Sequence, residues 1–178
     1  MNRGAILLVV AVLAVSGCRK EEKAPASLDA ANKVAVRAVR LYFESPQMLL
    51  VSESRSLALP ESSAAAVPVV LRELMKGPQG GALRIWPEDT VIRGAYLLPG
   101  GTAVVDVGGP TFAEGWGAGT HQELMAIHSA VQTLAANFET VRQVRFVVNG
   151  MPAETLAGHI SLARSHPPDP AMVDPASR

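Results

Sequence analysis

The feature that most limits the fold of this chain is an apolar run that ends just before its single cysteine. Residues 5–15 are eleven consecutive apolar residues, whereas a helix that spans a bilayer needs about 20. With Arg3 in front of it, the run has the length and charge of a secretory signal peptide. We predict that residues 1–17 are removed during export and contribute nothing to the folded domain.

The residues around the cysteine, Val15-Ser16-Gly17-Cys18, resemble a lipobox, the processing site of bacterial lipoproteins. An ordinary secretory signal with an incidental cysteine is the alternative. Lipidation of Cys18 explains an odd cysteine in an exported chain. Because Cys18 is the only cysteine, the domain has no intrachain disulfide, CxxC metal site or cysteine nucleophile. We expect a palmitate-type anchor in the cell envelope, outside the cytoplasm.

The residue after the cysteine bears on which membrane is used. An aspartate directly after the lipidated cysteine is associated with retention in an inner membrane. This chain has Arg19 at that position, so an outer membrane is favoured where the host has two membranes.

The net charge of the exported chain is close to zero. Residues 18–178 carry 15 basic and 16 acidic side chains, because Arg3 is the only charge lost with the signal peptide. This balance lacks the basic surplus typical of nucleic-acid binding, so no nucleic-acid partner is expected.

Both ends of the exported chain are polar and contain proline. Residues 18–33 are predicted to be a tether, which as a flexible coil would reach roughly 20 Å. Residues 165–178 carry four prolines and almost no large apolar side chain, which predicts a disordered tail. One domain, residues 34–164, lies between them.

Hydrophobic periodicity predicts the elements of that domain. In chain order these are a strand at 39–44, a weak strand at 49–51, a helix at 66–76 closed by Gly77-Pro78, a hairpin of strands 90–98 and 102–107, a helix that starts with a Thr120/Glu123 capping box and ends near Asn137, and a strand at 144–148. The simplest arrangement is an α+β fold, a small mixed sheet with two helices packed on one face.

Several segments in this order resemble the GerMN domain of sporulation and spore germination proteins. They are the strand at 39–43, the helix end LRELMKGP at 71–78, the WPEDT segment at 86–90, the AVVDV strand at 103–107, the QTL triplet at 132–134 and the VRFVVNG strand at 144–150. The resemblance implies a ring-building-motif or KH-like αββαβ core in a cell-envelope lipoprotein that assembles or scaffolds and does not catalyse. Sporulation members carry two tandem copies, whereas one is expected here.

A search for convergent chemical groups nominates no catalytic, cofactor or metal site. His121 and His128 lie on the same side of the second helix but roughly 10 Å apart, too far for two ligands of one zinc ion. Asp106 and Glu114 could pair, although nothing in their spacing enforces it. We therefore predict that the protein is not an enzyme, and only a tight cluster of Asp106, Glu114 and His121 would change that.

Two features suggest contact with a partner. The second helix has no charged side chain over residues 124–138, and its non-core face is small: Ala126, Ser129, Ala130, Thr133 and Ala136. This face is either a surface for a partner or a second copy, or it is covered by the first helix or the N-terminal strand. Trp116, between two glycines, is either an anchor for a ligand or partner or a lid that folds back on the sheet.

The first functional hypothesis is therefore a membrane-anchored envelope lipoprotein whose single domain binds a protein partner or associates with itself. The alternative is a lipoprotein that binds a small ligand, a cell-wall fragment or lipid, with Trp116 at the mouth of the pocket. A cavity of several hundred cubic ångströms beside Trp116 would favour the alternative.

Overall fold

The computed structural model describes residues 33–177, so the predicted signal peptide, Cys18 and the tether up to Asn32 lie outside the described residues. In chain order the elements are β1 (Val34–Glu44), β2 (Leu50–Pro60), α1 (Ser63–Met75), β3 (Val91–Leu98), β4 (Thr102–Gly108), α2 (Pro110–Glu114), α3 (Thr120–Asn137) and β5 (Gln143–Val148), followed by short 3-10 turns at Pro170–Met172 and Pro175–Ser177. Within the described part of the chain, no helix is long and apolar enough to cross a membrane.

The predicted αββαβ core is formed by α1, β3, β4, α3 and β5. The three strands form one mixed sheet in the order β3-β4-β5, with β3 antiparallel to β4 and β4 parallel to β5. Parallel pairing needs a long crossover, which α3 supplies. Alternate residues of the central strand, Ala103, Val105 and Val107, are fully buried beneath the helices. The α+β fold class is confirmed.

A second, two-stranded sheet pairs β1 with β2 in antiparallel register over their full length. The sequence pattern indicated only a short strand at 49–51 in place of β2. The inward positions of β2 include Glu53 and Arg55, which face Leu41 and Val39 across the hairpin. Because two of these inward side chains are charged, the apolar alternation that marks a half-buried strand is interrupted.

The long helix α3 lies between the two sheets and is buried on both sides. It packs against β5 on one side and against β1 on the other, and ten of its eighteen residues are buried. A helix that is apolar around its whole circumference is typical of a buried position. The absence of charge from residues 124–138 is therefore explained by packing within the domain.

The C-terminal residues 165–177 are ordered, so the prediction of a disordered tail is wrong for them. His166 exchanges two backbone hydrogen bonds with Val144 at the edge of β5, at 2.7 and 2.9 Å. The Asp174 N–H then donates to Leu50 O of β2 at 2.9 Å, and Val173 is buried. The tail needs few apolar side chains, because the open edges of two strands supply its hydrogen bonds, and prolines reduce the entropy lost on ordering.

Candidate functional site

The small face of α3 is not a partner surface. Ala126, Ser129, Ala130 and Thr133 are all completely buried, so the prediction that they contact a partner is wrong. The N-terminal strand β1 covers much of this face, as the alternative interpretation held, and the Trp86 side chain donates from Nε1 to Ser129 Oγ at 3.1 Å.

Side chains of α3 complete the edge of β1. Thr133 Oγ1 accepts a hydrogen bond from the Tyr42 N–H at 3.0 Å. Asn137 both accepts from the Arg40 N–H, at 3.0 Å, and donates from Nδ2 to Arg40 O, at 2.7 Å. An uncovered strand edge is a template for aggregation. Thr133 and Asn137 therefore protect β1, which gives the QTL triplet a structural role.

Trp116 folds back on the domain. Its ring stacks on Trp86 at 6.3 Å between centroids and meets Phe112 edge to face at 5.7 Å. Trp86 is buried, whereas Trp116 is half-buried and covers it. The best-formed depressions on the described residues have other linings, so the arrangement fits the lid interpretation of Trp116.

The three residues that would have reopened an enzymatic interpretation lie apart. Asp106 accepts from the Gly150 N–H at 2.9 Å and pairs with Arg93 at 3.4 Å. His121 Nε2 contacts Glu44 Oε1 at 2.5 Å, and Glu114 is exposed at the end of α2. Within residues 33–177, no three histidine, cysteine or acidic side chains are grouped to hold a metal ion.

Glu123 forms a charge site that the sequence did not reveal. The side chain is completely buried. Its Oε1 accepts from the N–H groups of Leu156 and Ala157, at 2.8 and 2.9 Å, and its Oε2 from those of His159 and Ile160, at 2.8 and 3.1 Å. Four backbone donors satisfy a buried carboxylate. Glu123 thus fixes the loop at 154–163 against the start of α3.

The predicted capping box at Thr120 is wrong for the same reason. Gly119 is the N-cap residue of α3, and no side chain caps this end. The Glu123 side chain is used by the loop and does not turn back to the helix start. In a capping box the glutamate would accept one hydrogen bond from the backbone of the N-cap residue, whereas the distant loop supplies four, so the contact with the loop is favoured.

Arg55 is the centre of a second buried cluster. Its guanidinium donates to Glu53 Oε1 at 2.6 and 2.8 Å, to Glu73 Oε1 at 2.9 Å and to Gly77 O at 2.6 Å. It also lies 5.5 Å from the centre of the Phe43 ring. The cluster joins β2 to the end of α1, where carbonyl groups lack helical partners.

The pKa values of the two glutamates in this cluster are lowered. Burial alone would raise the pKa of Glu53, but hydrogen bonds from the Gln79 N–H, the Arg55 side chain and the Gly80 N–H outweigh it. Burial would likewise raise the pKa of Glu73, and hydrogen bonds from Lys76 and Arg55 bring it below its ordinary value. Both side chains are therefore held as carboxylates.

The tail crosses α3 at a pair of histidines. The rings of His128 and His166 meet edge to face with centroids 6.4 Å apart, and the His166 ring also lies 6.2 Å from that of Phe146. Burial lowers the pKa of both histidines, although Asp169 opposes this at His128 and the Ser161 backbone opposes it at His166. The docked tail therefore favours neutral imidazoles.

The outer face of the three-stranded sheet is open. Ala95 and Val105 point towards the helices and are buried, so their neighbours Tyr96 and Val104 point the other way. Tyr96 is 62% exposed, and its ring lies over Gly94, where a Cβ atom would come within 2.9 Å of the phenol oxygen. Arg145 of β5 is next to Val104 and is exposed. We call Tyr96, Val104 and Arg145 the open sheet face.

The sequence profile of the family named Germane, described as sporulation and spore germination, matches residues 40–154. The chain belongs to the Germane family. The matched segment runs from the centre of β1 to the loop that Glu123 holds. It includes Thr133, Asn137 and the Arg55 cluster, so these contacts are part of the Germane domain itself. The predicted resemblance to the GerMN domain is confirmed.

One solved structure with a TM-score above 0.5 supports the fold of this Germane domain, and two others are similar at lower scores. A candidate lipoprotein from Clostridium perfringens is similar with a TM-score of 0.53 and 11% identity, over 75% of this chain and 87% of that chain. The tandem GerMN domains of the sporulation protein GerM from Bacillus subtilis give 0.49 and 18%, over 75% and 46%. The first of those domains gives 0.44 and 17%, over 80% and 98%. None of the curated proteins matches the chain in sequence.

Proposed function

We propose that this protein is an extracytoplasmic lipoprotein, anchored through Cys18, whose Germane domain holds a protein partner and does not catalyse a reaction. The signal peptide and lipobox of the sequence support the anchor. An outer-membrane location is part of the proposal for a host with two membranes, because Arg19 follows the cysteine.

The observation that carries the binding role is the open sheet face. Tyr96 is 62% exposed on the edge strand β3, and across the sheet Val104 of β4 and Arg145 of β5 follow it in one row. An exposed row of tyrosine, aliphatic residue and arginine has a composition that is enriched at protein interfaces. The small face of α3, where the sequence placed the interface, is covered, so the open sheet face takes its place.

Photo-crosslinking in living cells tests this role. A benzophenone amino acid at position 96 should give an adduct of defined mass, which Val104→Glu should abolish while leaving the circular dichroism spectrum unchanged. The same probe at Met151, which is 67% exposed beyond the end of β5, is the control. An adduct of twice the chain mass would identify self-association as the mode of binding. Equal labelling from both positions, or from neither, would refute the proposal.

The anchor has a separate test. A Cys18→Ala variant should not incorporate a palmitate analogue and should move to the soluble fraction at about 500 mM NaCl, where attraction to a charged surface is screened. Retention of this variant in the membrane fraction at that salt concentration would contradict lipidation as the anchor.

One observation favours a ligand-binding role as the second candidate. A groove of about 400 Å³ lies between β1, α3 and the tail, away from Trp116, and is lined by Arg40, Tyr42, Gln132, Ala135, Ala136, Pro170 and Val173. Its apolar floor and the guanidinium at its rim suit a lipid or cell-wall fragment that carries a negative charge. Such a ligand should shift the NMR signals of Ala135 and Ala136, and Arg40→Ala should weaken the shifts. Their absence with anionic lipid and muropeptide probes would remove this candidate.

A further inference from the structure

The end of the domain at which the chain enters β1 exposes aliphatic side chains. Val34 is 57% and Val36 75% exposed, although both belong to a strand that is paired along its whole length. They lie on the side of β1 opposite to Val39 and Leu41, which are buried. A strand in water normally places polar residues on its outer side, so these two valines need another explanation.

A second element presents an aliphatic side chain at the same end. Ser63, at the start of α1, and Leu98, Gly100 and Arg142 line one surface depression of about 720 Å³. The turn between β3 and β4 therefore lies beside the point where β2 leads into α1. Leu98 in this depression is 48% exposed. We call Lys33, Val34, Val36 and Leu98 the tether end.

Positive charge is concentrated in the part of the chain that leads into the tether end. Residues 19–40 contain six basic and three acidic side chains, whereas residues 41–178 contain nine basic and thirteen acidic ones. The first segment has a net charge of +3 and the second of −4. The positive segment includes Lys33, which pairs with Glu61 at 3.5 Å, and Arg37, which donates to Pro60 O at 2.7 Å. Cations beside exposed aliphatic residues fit an anionic lipid surface.

Chain length brings this end close to the bilayer. Lys33 follows Cys18 by fifteen residues, which span at most roughly 50 Å even when fully extended. We propose that the tether end docks on the anionic surface of the membrane to which Cys18 is attached. Val34, Val36 and Leu98 enter the headgroup layer, and Lys33, Arg37 and Arg40 face the lipid phosphates. This inference rests on the proposed lipid anchor.

Docking at this end orients the domain. The loop at 149–151 lies at the other end of β5, since β5 begins beside Thr102 next to the β3–β4 turn and ends before Met151. The first turn of α3 also lies at this far end, because Asn137 contacts Arg40 while His121 contacts Glu44. The far end therefore points away from the lipid.

Vesicle sedimentation tests the proposal with the full exported chain, residues 18–178, carrying Cys18→Ser so that no acyl chain contributes. Vesicles with about 30% phosphatidylglycerol should bind at least about threefold more protein than pure phosphatidylcholine vesicles at low salt. This excess should disappear at about 500 mM NaCl, where the Debye length is a few ångströms. Equal binding to both kinds of vesicle would overturn the proposal.

Matched variants localise the contact. Val36→Asp should lower binding to the anionic vesicles by about fivefold, because it places a negative charge where an aliphatic group would enter the headgroup layer. Met151→Asp, an equally exposed site at the far end, should leave binding within about twofold of the parent. Val36→Thr keeps the β propensity of the strand and should still lower binding by about twofold. Equal losses for Val36→Asp and Met151→Asp would refute docking through the tether end.

The two proposals fail separately. If the acyl-free chain ignores anionic vesicles while the lipidated protein remains in the membrane fraction, docking is wrong and the anchor stands. If Cys18→Ala remains in the membrane fraction at about 500 mM NaCl and the acyl-free chain binds anionic vesicles only at low salt, the anchor is wrong and the membrane affinity of the tether end stands.

Discussion

Two of the charged side chains that the domain buries, Glu123 and Arg55, are stabilised in different ways. The Glu123 carboxylate is completely buried, and the structure shows it accepting hydrogen bonds from backbone N–H groups of residues 156–160. The Arg55 guanidinium is 7% exposed and is held mainly by the carboxylates of Glu53 and Glu73. One charge is stabilised by main chain and the other by opposite charge.

This difference determines what each site tolerates. All members of a buried ion cluster can often be replaced together by apolar side chains of similar size with little loss of stability. Removing only one member is more costly, because it leaves a buried charge without compensation. Backbone donors cannot be removed by mutation, so a replacement for Glu123 must still accept four hydrogen bonds. We therefore expect the Glu123 site to be the less replaceable of the two.

The largest effect is expected for Glu123→Ala. It leaves four donors without their acceptor and should lower the free energy of unfolding by about 3 kcal/mol or more. Urea denaturation measures the loss, and hydrogen exchange at Leu156 and Ile160 should accelerate in the native state. Glu154→Ala, an exposed glutamate in the same loop, is the control and should cost less than about 0.5 kcal/mol. A loss below about 1 kcal/mol for Glu123→Ala would contradict the assignment.

The next largest effect is expected for Arg55→Met, which removes the buried cation between the carboxylates of Glu53 and Glu73 and should cost about 2–3 kcal/mol. Adding Glu53→Gln and Glu73→Leu should recover most of that loss, because the whole cluster is then uncharged. Thermal and urea unfolding of the single and triple variants check this. A triple variant less stable than Arg55→Met would remove the distinction between the two sites.

Acid should affect the Arg55 cluster next. Glu53 and Glu73 have folded pKa values below the ordinary 4.5, so their contribution is complete above pH 4.5 and is lost as the pH falls through the lowered values. The urea midpoint should therefore drop between about pH 5 and pH 3. In a Glu53→Gln/Glu73→Gln variant this drop should be smaller, and an unchanged pH profile would show that other groups cause it.

The smallest effect is expected at the histidine pair, which buries no charge near neutral pH. The folded pKa values of His128 and His166 lie below the ordinary 6.5, so their contribution is complete above pH 6.5 and decreases as the pH falls through the lowered values. Hydrogen exchange at the amides of Val144 and His166, corrected for its intrinsic rate, should be several-fold faster at about pH 5.5 than at about pH 7.5. Replacing both rings, His128→Gln with His166→Gln, should abolish this pH dependence, and its persistence would assign the opening to a group outside the pair.

Much of the core was predictable because its signals are local. The hairpin of β3 and β4 follows from alternating apolar residues around Pro99-Gly100-Gly101. The helix α1 ends at Met75, one residue before the predicted end, with Gly77-Pro78 just beyond it. Gly77 has a positive φ of 84°, and a Cβ atom there would lie 2.6 Å from the Arg84 side chain. The left-handed backbone therefore favours glycine at this position, and a larger residue would also displace the Arg84 side chain.

The two charge sites were not predictable, because a sequence does not show that these side chains are buried or which distant groups they contact. Glu123 accepts from backbone groups 33–37 residues away, and any residue type can donate an N–H. From the sequence, charged residues such as Glu53 and Arg55 would be expected at the surface, whereas β2 places both side chains on its inward side. The small face of α3 is covered because β1 packs against it. The periodicity of the helix sequence does not reveal which element will pack on a given face.

The docked tail has a consequence for the order in which the domain folds. The Tyr42 hydroxyl donates to Ser177 O across 135 residues, and the Asp174 N–H donates to Leu50 O at the start of β2. The β1–β2 hairpin is thus closed by a segment that is synthesised only after α3 and β5, so these contacts carry a high loop-closure entropy. The fold of residues 33–177 therefore cannot be complete until this segment has left the ribosome.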